Sequence, residues 1–417
     1  MRILFLTGQV PYPPHAGGAL RTFGLLDGLR RAGHTLDLLT FVDAEASSDG
    51  TTQPPPALAE LCDQIVSVPA PHRSITDRLR DLLLTGEADM SQRFYSSRFA
   101  AVLKTHLMQQ HYDLVQIESL EMASYLPTIQ ASCADSVGQR GVRIIYDSFN
   151  AEFDLQRLIF EIDRKNPSRL PAALYSLIQW RRLTRFERSV CQQVDHVIAV
   201  SEADAVAFRE LVPGVKVDII PNGINAGQYG QQSGDQIDLG PASLLFTGTM
   251  NYRPNVDAAI WFADHVLGEV RKAVPDARLF IVGNKPHGRL DGLRQRSDIE
   301  ITGYVQDVLP FLHSAAVYVA PLRMGSGTRL KLLQAMAAGC AIVSTHVGAQ
   351  GLNVTTGKEM LLADDPESFA QATVALLRDS GLRRRLSQAA HELVCEQYDW
   401  SVIIPRLLKV YREMGLG

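Results

Sequence analysis

Short apolar runs separated by amphipathic stretches make up most of the first half of the chain. The apolar runs predict buried strands at residues 2–7, 35–41, 114–117, 142–146, 197–200 and 217–220. Between them, apolar residues recur at helical spacing and predict helices at residues 19–32, 74–110 and 153–193. Pro167 and Pro171 interrupt the last of these stretches. Alternating strands and helices are typical of a parallel sheet with helices on both faces.

The second half repeats this pattern after a polar stretch, rich in glycine and glutamine, at residues 227–240. We interpret that stretch as a linker and place the domain boundary between residues 222 and 223. Strands are predicted at residues 243–246, 278–282, 299–301, 315–320 and 341–344, and helices at 258–270, 328–338, 369–378, 382–397 and 402–414. The sequence therefore predicts an α/β protein whose two Rossmann-like domains, 1–222 and 223–401, face each other across a cleft that suits a nucleotide.

One strand–loop–helix–strand unit, at residues 315–344, carries the clearest candidate for an anion site. Gly325, Ser326 and Gly327 form its loop, and Lys331 falls in the first turn of its helix. A helix N-terminus gathers unpaired N–H groups and the positive end of the helix dipole, so it can hold a phosphate. A lysine there opposes the dipole, which suits a bound anion. The alternative is a solvated lysine on a surface turn.

Composition narrows the class of protein. The net charge of −4 argues against a general nucleic-acid binder. The five cysteines form no CxxC pair, so a disulfide framework or a zinc ribbon is not expected, and a reducing compartment fits. The first ten residues are too short and strand-like for a signal peptide, and no apolar stretch approaches the roughly 20 residues that cross a bilayer. We therefore expect a cytoplasmic protein.

Polar and glycine residues near the predicted strand ends of the first half are further candidates. Glu118 comes directly after the strand at 114–117, at the edge where open α/β sheets bind ligands; a helix cap or loop residue is the alternative. Gly17 and Gly18 come too late after the first strand for the GxGxxG fingerprint of dinucleotide-binding enzymes. They either let the backbone approach a bulky ligand or make a turn.

A basic cluster lies within the helical region 153–193. It contains Arg181, Arg182, Arg185 and Arg188, next to several apolar residues. A helix of this kind can contact an anionic membrane surface. A solvated, arginine-rich helix face is the alternative.

Several segments, taken together and in order, resemble one family. They are VIAVSEAD (197–204), VDIIPNGIN (217–225), LLFTGTMNYRPNVDA (244–258), LFIVGNKP (279–286), ITGYVQDV (301–308), the block at 321–352 and YDWS (398–401). The chain is identified on these as similar to the GT-B glycosyltransferases, close to glycosyltransferase family 4. The resemblance implies that the final helix, 402–417, packs back on the first domain.

The resemblance also implies an activity in surface polysaccharide or glycolipid assembly. A nucleotide-sugar donor would bind mainly to the second domain and a saccharide or lipid-linked acceptor to the first. The donor sugar would be transferred with retention, without a catalytic metal or any cofactor beyond the nucleotide-sugar co-substrate. Because no metal neutralises the leaving diphosphate, cationic side chains must stabilise its growing charge. The implied catalytic residues are Lys331, Arg253 and Glu118.

The implied nucleotide-sugar site draws on loops of both domains. Backbone amides at Gly327 and Thr328, with Arg329, would assist Lys331 at the diphosphate. The remaining implied contacts are Gly248, Ser326 and Gln334 at the donor, Gly303 and Val305 at the base, and Gly17 and Gly18 at the diphosphate.

Four positions depart from the family pattern. The two glutamates that the family usually carries eight residues apart are Ser326 and Gln334 here. A neutral amide still accepts a hydrogen bond from a ribose hydroxyl, but more weakly than a carboxylate does. Glu118 and Phe149 stand where many members have histidine. Two alternative functions therefore stay open, a nucleotide-binding partner without catalysis and a sugar-nucleotide epimerase of the same fold.

Overall fold

The computed structural model describes residues 1–14, 17–43, 55–135, 141–165, 167–230, 237–325 and 328–416. The chain divides into two units. The first contains Met1–Pro221 and Ile403–Gly417, and the second contains Asn222–Val402. This division falls one residue before the predicted boundary.

The first unit is built on a seven-stranded sheet whose strand pairs are all parallel. Its strands are β1 (Arg2–Thr7), β2 (Thr35–Val42), β3 (Gln64–Pro69), β4 (Leu114–Glu118), β5 (Arg143–Asp147), β6 (His196–Ala199) and β7 (Val217–Ile219). They are arranged in the order β3-β2-β1-β4-β5-β6-β7. Six of the seven were predicted within two residues at each end. The exception is β3, an edge strand in which few side chains are buried.

Nine α-helices are described between these strands. They are α1 (Gly17–Arg31), α2 (Pro56–Ala59), α3 (Ile75–Leu84), α4 (Asp89–Arg93), α5 (Ser97–Gln109), α6 (Leu126–Asp135), α7 (Glu152–Asp163), α8 (Leu170–Gln193) and α9 (Glu202–Leu211).

Two helical predictions in this unit were wrong in detail. The stretch 74–110 is three helices rather than one, and the last of them begins separately at Ser97 because Ser96 caps it by accepting from the backbone N–H of Phe99. Pro171 does not interrupt α8. It lies in the first turn, where a helix needs no N–H donor, and the helix then continues to Gln193.

The second unit is built on a parallel six-stranded sheet. Its strands are β8 (Ser243–Thr247), β9 (Arg278–Val282), β10 (Ile299–Gly303), β11 (Val317–Ala320), β12 (Ile342–Ser344) and β13 (Leu361–Leu362), in the order β10-β9-β8-β11-β12-β13. The sequence did not predict β13, which is two residues long and lies at the edge.

The other α-helices follow one another along the chain from Ala226 onwards. They are α10 (Ala226–Gly230), α11 (Arg253–Trp261), α12 (Leu267–Ala273), α13 (Asp291–Arg294), α14 (Leu309–Ser314), α15 (Leu330–Ala337), α16 (Pro366–Arg378), α17 (Ser380–Gln397) and α18 (Trp400–Glu413). The helix predicted at 258–270 in fact begins at Arg253 and contains a π-helical turn at Phe262–Val266. The wider π turn divides it into α11 and α12.

Most of α18 packs against the first unit. Its buried residues include Ile403, Leu407 and Tyr411, and a Cβ on Gly28 of α1 would overlap the Ile404 side chain. Glycine at position 28 therefore lets the two helices approach closely. The Tyr411 hydroxyl extends beneath them and donates to Gln116 of β4 at 2.5 Å.

Candidate functional site

The strand order of the second sheet reverses between β8 and β11. In open α/β sheets ligands bind at the carboxyl ends of the strands at such a reversal. Gly248 directly follows β8, and the loop that leads to Lys331 follows β11. The predicted anion site around Lys331 and the implied donor contact Gly248 are therefore brought together at one place in this unit.

Lys331 is held between three groups. Its Nζ donates to Asn255 Oδ1 at 2.6 Å and lies 4.7 Å from the centroid of the Phe246 ring. The third group is Gly248, where a Cβ would come within 2.6 Å of Nζ. Burial, with a smaller contribution from Arg329, lowers the Lys331 pKa to about 7. The lysine is thus a confined cation rather than the solvated side chain of the alternative reading.

Backbone packing around Gly248 leaves no room for side chains. A Cβ on Gly283 would overlap the Gly248 carbonyl oxygen. Gly248 donates to Val282 O at 3.0 Å, and Gly283 donates to Gly303 O at 3.1 Å. These bonds join the carboxyl ends of β8, β9 and β10, so the floor beneath Lys331 is fixed by the sheet itself.

The loop before α15 is packed equally closely where it is described. A Cβ on Gly325 would lie 2.5 Å from Arg329 Nη2, and a Cβ on Gly351 would lie 3.0 Å from Thr328 Oγ1. Thr328 is buried and Arg329 is half-buried. Ser326 and Gly327 lie outside the described residues, so their predicted contacts stay predictions.

Gln334 lies one turn further along α15 and contacts Tyr229 of α10. Its Nε2 donates to the Tyr229 hydroxyl at 2.8 Å. With the amide oriented in this way, its oxygen is the atom left to accept from a ligand. The predicted bond from Gln334 to a ribose hydroxyl therefore needs no change of side-chain orientation.

The other predicted residues of the second unit occupy strand and helix ends. Arg253 is the first residue of α11 and is half-buried. Gly303 ends β10 with φ +75°, next to an irregularity in the pairing with β9. Val305 packs against the apolar core below α15. Their predicted roles at the donor stay predictions.

In the first unit, Gly17 and Gly18 form the first turn of α1 rather than the loop that the sequence predicted. A Cβ on Gly18 would lie 2.8 Å from the Phe149 ring. The close approach at Gly18 is therefore made to a phenylalanine of the same unit. The predicted approach of Gly17 and Gly18 to a diphosphate stays a prediction.

Glu118 lies at the reversal of the first sheet, between β1 and β4, but it is only 1% exposed. Its Oε1 accepts from Gln116 at 2.8 Å and its Oε2 from Thr22 at 2.9 Å. Next to it, Arg21 and Asp147 form a buried ion pair at 2.8 Å. Both carboxylate oxygens of Glu118 are thus used inside the unit, which favours a structural role over contact with a substrate.

The sequence did not single out Asn255, Phe246 or Tyr229. Each precedes the residue that it contacts, Lys331 or Gln334, by 76 to 105 positions along the chain. No local spacing marks such pairs. The one available signal was the position of Asn255 in the first turn of a helix that follows a Gly-terminated strand.

Two sequence models match the chain. One, described as a glycosyl transferase 4-like domain, matches residues 16–223, and one described as glycosyl transferases group 1 matches residues 241–379. The chain belongs to the group 1 glycosyltransferases. The matched ranges include both sheet reversals.

Curated relatives of this glycosyltransferase share part of its length. Phosphatidyl-myo-inositol mannosyltransferase of Mycobacterium tuberculosis is 30% identical over 212 residues, which is 47% of this chain and 54% of the relative. An uncharacterized 44.6 kDa protein from the cps region of Klebsiella pneumoniae is 26% identical over 183 residues, 42% of this chain and 47% of the relative. The chain spans about half the length of the curated relatives it matches.

Solved glycosyltransferase structures share the fold over the whole chain. Anabaena HepE, solved with UDP and glucose, superposes with a TM-score of 0.65 at 12% identity, over 99% of this chain and 100% of HepE. The predicted GT-B fold class is thereby confirmed. Within the described ranges, no helix has the length and apolar composition needed to cross a bilayer.

Replacing Glu118 with Gln is expected to change how the stability of this glycosyltransferase depends on pH. Burial, and then the nearby Asp147, raise the Glu118 pKa to about 8. The folded state therefore holds a proton that the unfolded state releases above its ordinary pKa, so stability falls as pH rises from about 5 to 8. The variant should lose part of that fall, on the order of 2 kcal/mol.

Urea unfolding at pH 5.5 and pH 8.0 measures this difference. Glu187 also has a pKa raised to about 8 by burial, so wild type retains a pH dependence in either case. An equal change in unfolding free energy between pH 5.5 and pH 8.0 for wild type and Glu118→Gln would contradict the prediction that buried Glu118 holds a proton. A large loss of turnover with unchanged stability would instead restore Glu118 as a catalytic residue.

Proposed function

We propose that this chain transfers a hexosyl group from a nucleotide-sugar donor to a saccharide or lipid-linked acceptor, with retention and without a catalytic metal. The observation that carries the proposal is the confined Lys331 cation at the carboxyl edge of the second sheet. A site of this kind suits an anion that gains charge during the reaction, as a leaving nucleoside diphosphate does.

The electrostatic argument depends on where the lysine lies. A charge in water is screened, whereas a charge held in a protein interior acts through a lower effective dielectric. Burying the lysine in part removes hydration from its charged form, and this loss of hydration lowers its pKa. A diphosphate would offset that loss by supplying the opposite charge. Arg253 and Arg329 would add positive charge beside Lys331, and the Thr328 amide would donate to a phosphate oxygen.

The donor's nucleoside would be bound by neutral groups. Gln334 already donates to Tyr229, so its oxygen can accept from a ribose hydroxyl. The backbone at Gly303 and Val305 would contact the base, as the family resemblance implies. This arrangement places no acidic side chain on the diphosphate, in keeping with the departures at Ser326 and Gln334.

The relatives indicate a class of donor and acceptor. HepE was solved with UDP and with UDP-glucose, and the mycobacterial relatives are mannosyltransferases that act on phosphatidyl-myo-inositol. We therefore extend the proposal to hexose nucleotides as donors and to glycolipid or surface polysaccharide precursors as acceptors.

A thermal-shift panel of UDP-, GDP-, ADP- and dTDP-hexoses tests the donor. A ligand at about 100 times its dissociation constant should add roughly 2.7 kcal/mol of stability. Release of the nucleoside diphosphate in the presence of EDTA tests metal independence, and the anomeric configuration of the product by NMR tests retention. Binding without release to any acceptor would favour the binding-partner alternative, and epimerised donor without free diphosphate would favour the epimerase.

We also propose that α8 contacts an anionic membrane surface. One exposed stripe of this helix carries two leucines in its first turns, Leu170 at 56% and Leu174 at 60% exposure, and then Arg181 and Arg185. Arg182 is not part of the stripe, because it donates to three backbone carbonyls around the end of α3. Apolar residues beside exposed arginines suit the interface of an anionic bilayer.

Replacing Leu170 and Leu174 together with Asp is expected to reduce co-sedimentation with vesicles containing anionic lipid by about tenfold or more, because both the apolar contact and the favourable charge are lost. The matched control is Met108→Asp, at an exposed apolar residue of α5. Equal vesicle binding by wild type and the double variant would exclude α8 as the contact.

A further inference from the structure

We infer that Asn255 is a positioning residue that holds the Lys331 ammonium group ready for an anionic ligand without neutralising its charge. The geometry of the second unit carries this inference, and the identity of the anion as a diphosphate rests on the proposed function. No part of the family resemblance assigned a role to position 255.

Asn255 is fixed from both ends of its amide. Its Nδ2 donates to Thr249 O at 2.9 Å, and its Oδ1 accepts from Lys331 Nζ at 2.6 Å. Only 4% of the residue is exposed. Because the backbone carbonyl of Thr249 can accept but not donate, the amide oxygen must face the lysine. The orientation of the asparagine is therefore determined by its surroundings before any ligand arrives.

An amide at this position has a different effect from a carboxylate. An ammonium group has three N–H donors, and among the described residues Asn255 is its one hydrogen-bond partner. The ring of Phe246 and the bare backbone of Gly248 occupy two further sides without adding negative charge. When Lys331 is protonated, its remaining donors and its positive charge stay available to a ligand, whereas an aspartate would form an ion pair.

The charged neighbourhood of Lys331 is simple. Arg329 is the charged group that acts on its pKa, in the same direction as burial. The helices packed on α15 contribute Tyr229, bonded to Gln334, and His391, bonded to the Ala337 carbonyl. Both of these contacts lie further along α15, so position 255 is where a substitution would act most directly on the lysine.

Two substitutions of Asn255 should shift the pKa of Lys331 in opposite directions. Asn255→Asp places a carboxylate beside the ammonium group and should raise the pKa of Lys331 by one unit or more. Asn255→Ala removes its hydrogen-bond partner and should lower that pKa further. Both variants should bind nucleoside diphosphate about tenfold more weakly. In Asn255→Asp the carboxylate neutralises the Lys331 ammonium group, and in Asn255→Ala the ammonium group loses the hydrogen bond that positions it. A residue that served only the fold would lower stability without opposite shifts.

Trace acetylation of Lys331 between pH 5.5 and 10, read by mass spectrometry on the nucleotide-free protein, measures its titration. Calorimetry with UDP, GDP, ADP and dTDP measures binding. Asn251→Asp and Asn251→Ala are matched controls, because Asn251 is exposed in the turn before α11. They should leave both readouts within about twofold of wild type. Thermal unfolding of each variant shows whether it is folded.

The outcomes separate the inference from the proposed function. If Lys331 titrates in both Asn255 variants as it does in wild type, or if its pKa shifts in the same direction in both, the positioning role is wrong even where wild type binds nucleotide. If wild type binds none of the four diphosphates but the two variants shift in opposite directions, Asn255 still positions Lys331 and the proposed function fails instead.

Discussion

Replacing Lys331 with Ala is expected to weaken nucleoside diphosphate binding by roughly tenfold to a hundredfold and to reduce turnover by about 10²–10³. The first figure corresponds to a charged hydrogen bond of about 1.5–3 kcal/mol. The second is typical for removing one preorganised group that stabilises charge in the transition state. The physical reason is that the confined ammonium beside Asn255 and Phe246 is lost and no described side chain replaces it.

The pH dependence of binding gives this prediction a sharper form. Because the Lys331 pKa is lowered to about 7, the empty wild-type site loses its charge as pH rises above 7. A bound diphosphate favours the charged form, so wild-type binding should take up a proton there and weaken towards pH 9. That dependence should be absent from Lys331→Ala. Calorimetry in buffers of different ionisation enthalpy measures the proton uptake.

The control for Lys331→Ala is Lys272→Ala. Lys272 is a surface lysine whose partner is the exposed Glu269, so its removal should change neither binding nor turnover measurably. Unchanged affinity and rate in Lys331→Ala would remove the central support for the proposed function, since the confined lysine is the observation that carries it.

Replacing Gly283 with Ala is expected to destabilise the second unit by more than about 3 kcal/mol. A Cβ at this position overlaps the Gly248 carbonyl oxygen, which is backbone and cannot rotate away. The strain must therefore move one strand end, which costs more than the usual 1–3 kcal/mol for overpacking a side chain. Moving it would also loosen the backbone bonds from Gly248 to Val282 and from Gly283 to Gly303.

Urea unfolding of Gly283→Ala measures this loss, with Gly268→Ala as the matched control. Gly268 lies within α12 and a Cβ there meets nothing within 4 Å. Because alanine is the better helix former, the control should be stabilised by about 0.5–1 kcal/mol. If both variants unfolded like wild type, the close approach at Gly248 would not be required.

Most of the fold could be predicted because the buried parallel strands are nearly continuous apolar runs. Strands such as β1 and β9 are covered on both faces, so they contain few polar residues and their limits are sharp in the sequence. The edge strands β3 and β13 are partly exposed, carry mixed residues and were missed. Helix limits were less accurate where a cap decided them, as at Ser96, because capping depends on single side chains.

The site could be predicted only as far as local pattern extends. Lys331 stood out because a glycine loop and a helix start surround it in the sequence. Its partners Asn255 and Phe246 come from another strand–helix unit, and only the sheet order brings them together. Glu118 shows the opposite limit. Its place after a strand suggested contact with a ligand and the family resemblance implied a catalytic role, but the sequence could not show that Thr22 and Gln116 enclose it.

The packing of Ile404 against Gly28 has a consequence for the order in which the protein forms. The first unit needs α18, yet the whole second unit is synthesised before that helix leaves the ribosome. Until then, the groove that Gly28 opens on α1 stays uncovered and Gln116 lacks the Tyr411 hydroxyl. The contiguous second unit can complete its core first, whereas the first unit lacks α18 until translation ends. During that time its exposed apolar groove is a target for chaperones or for aggregation.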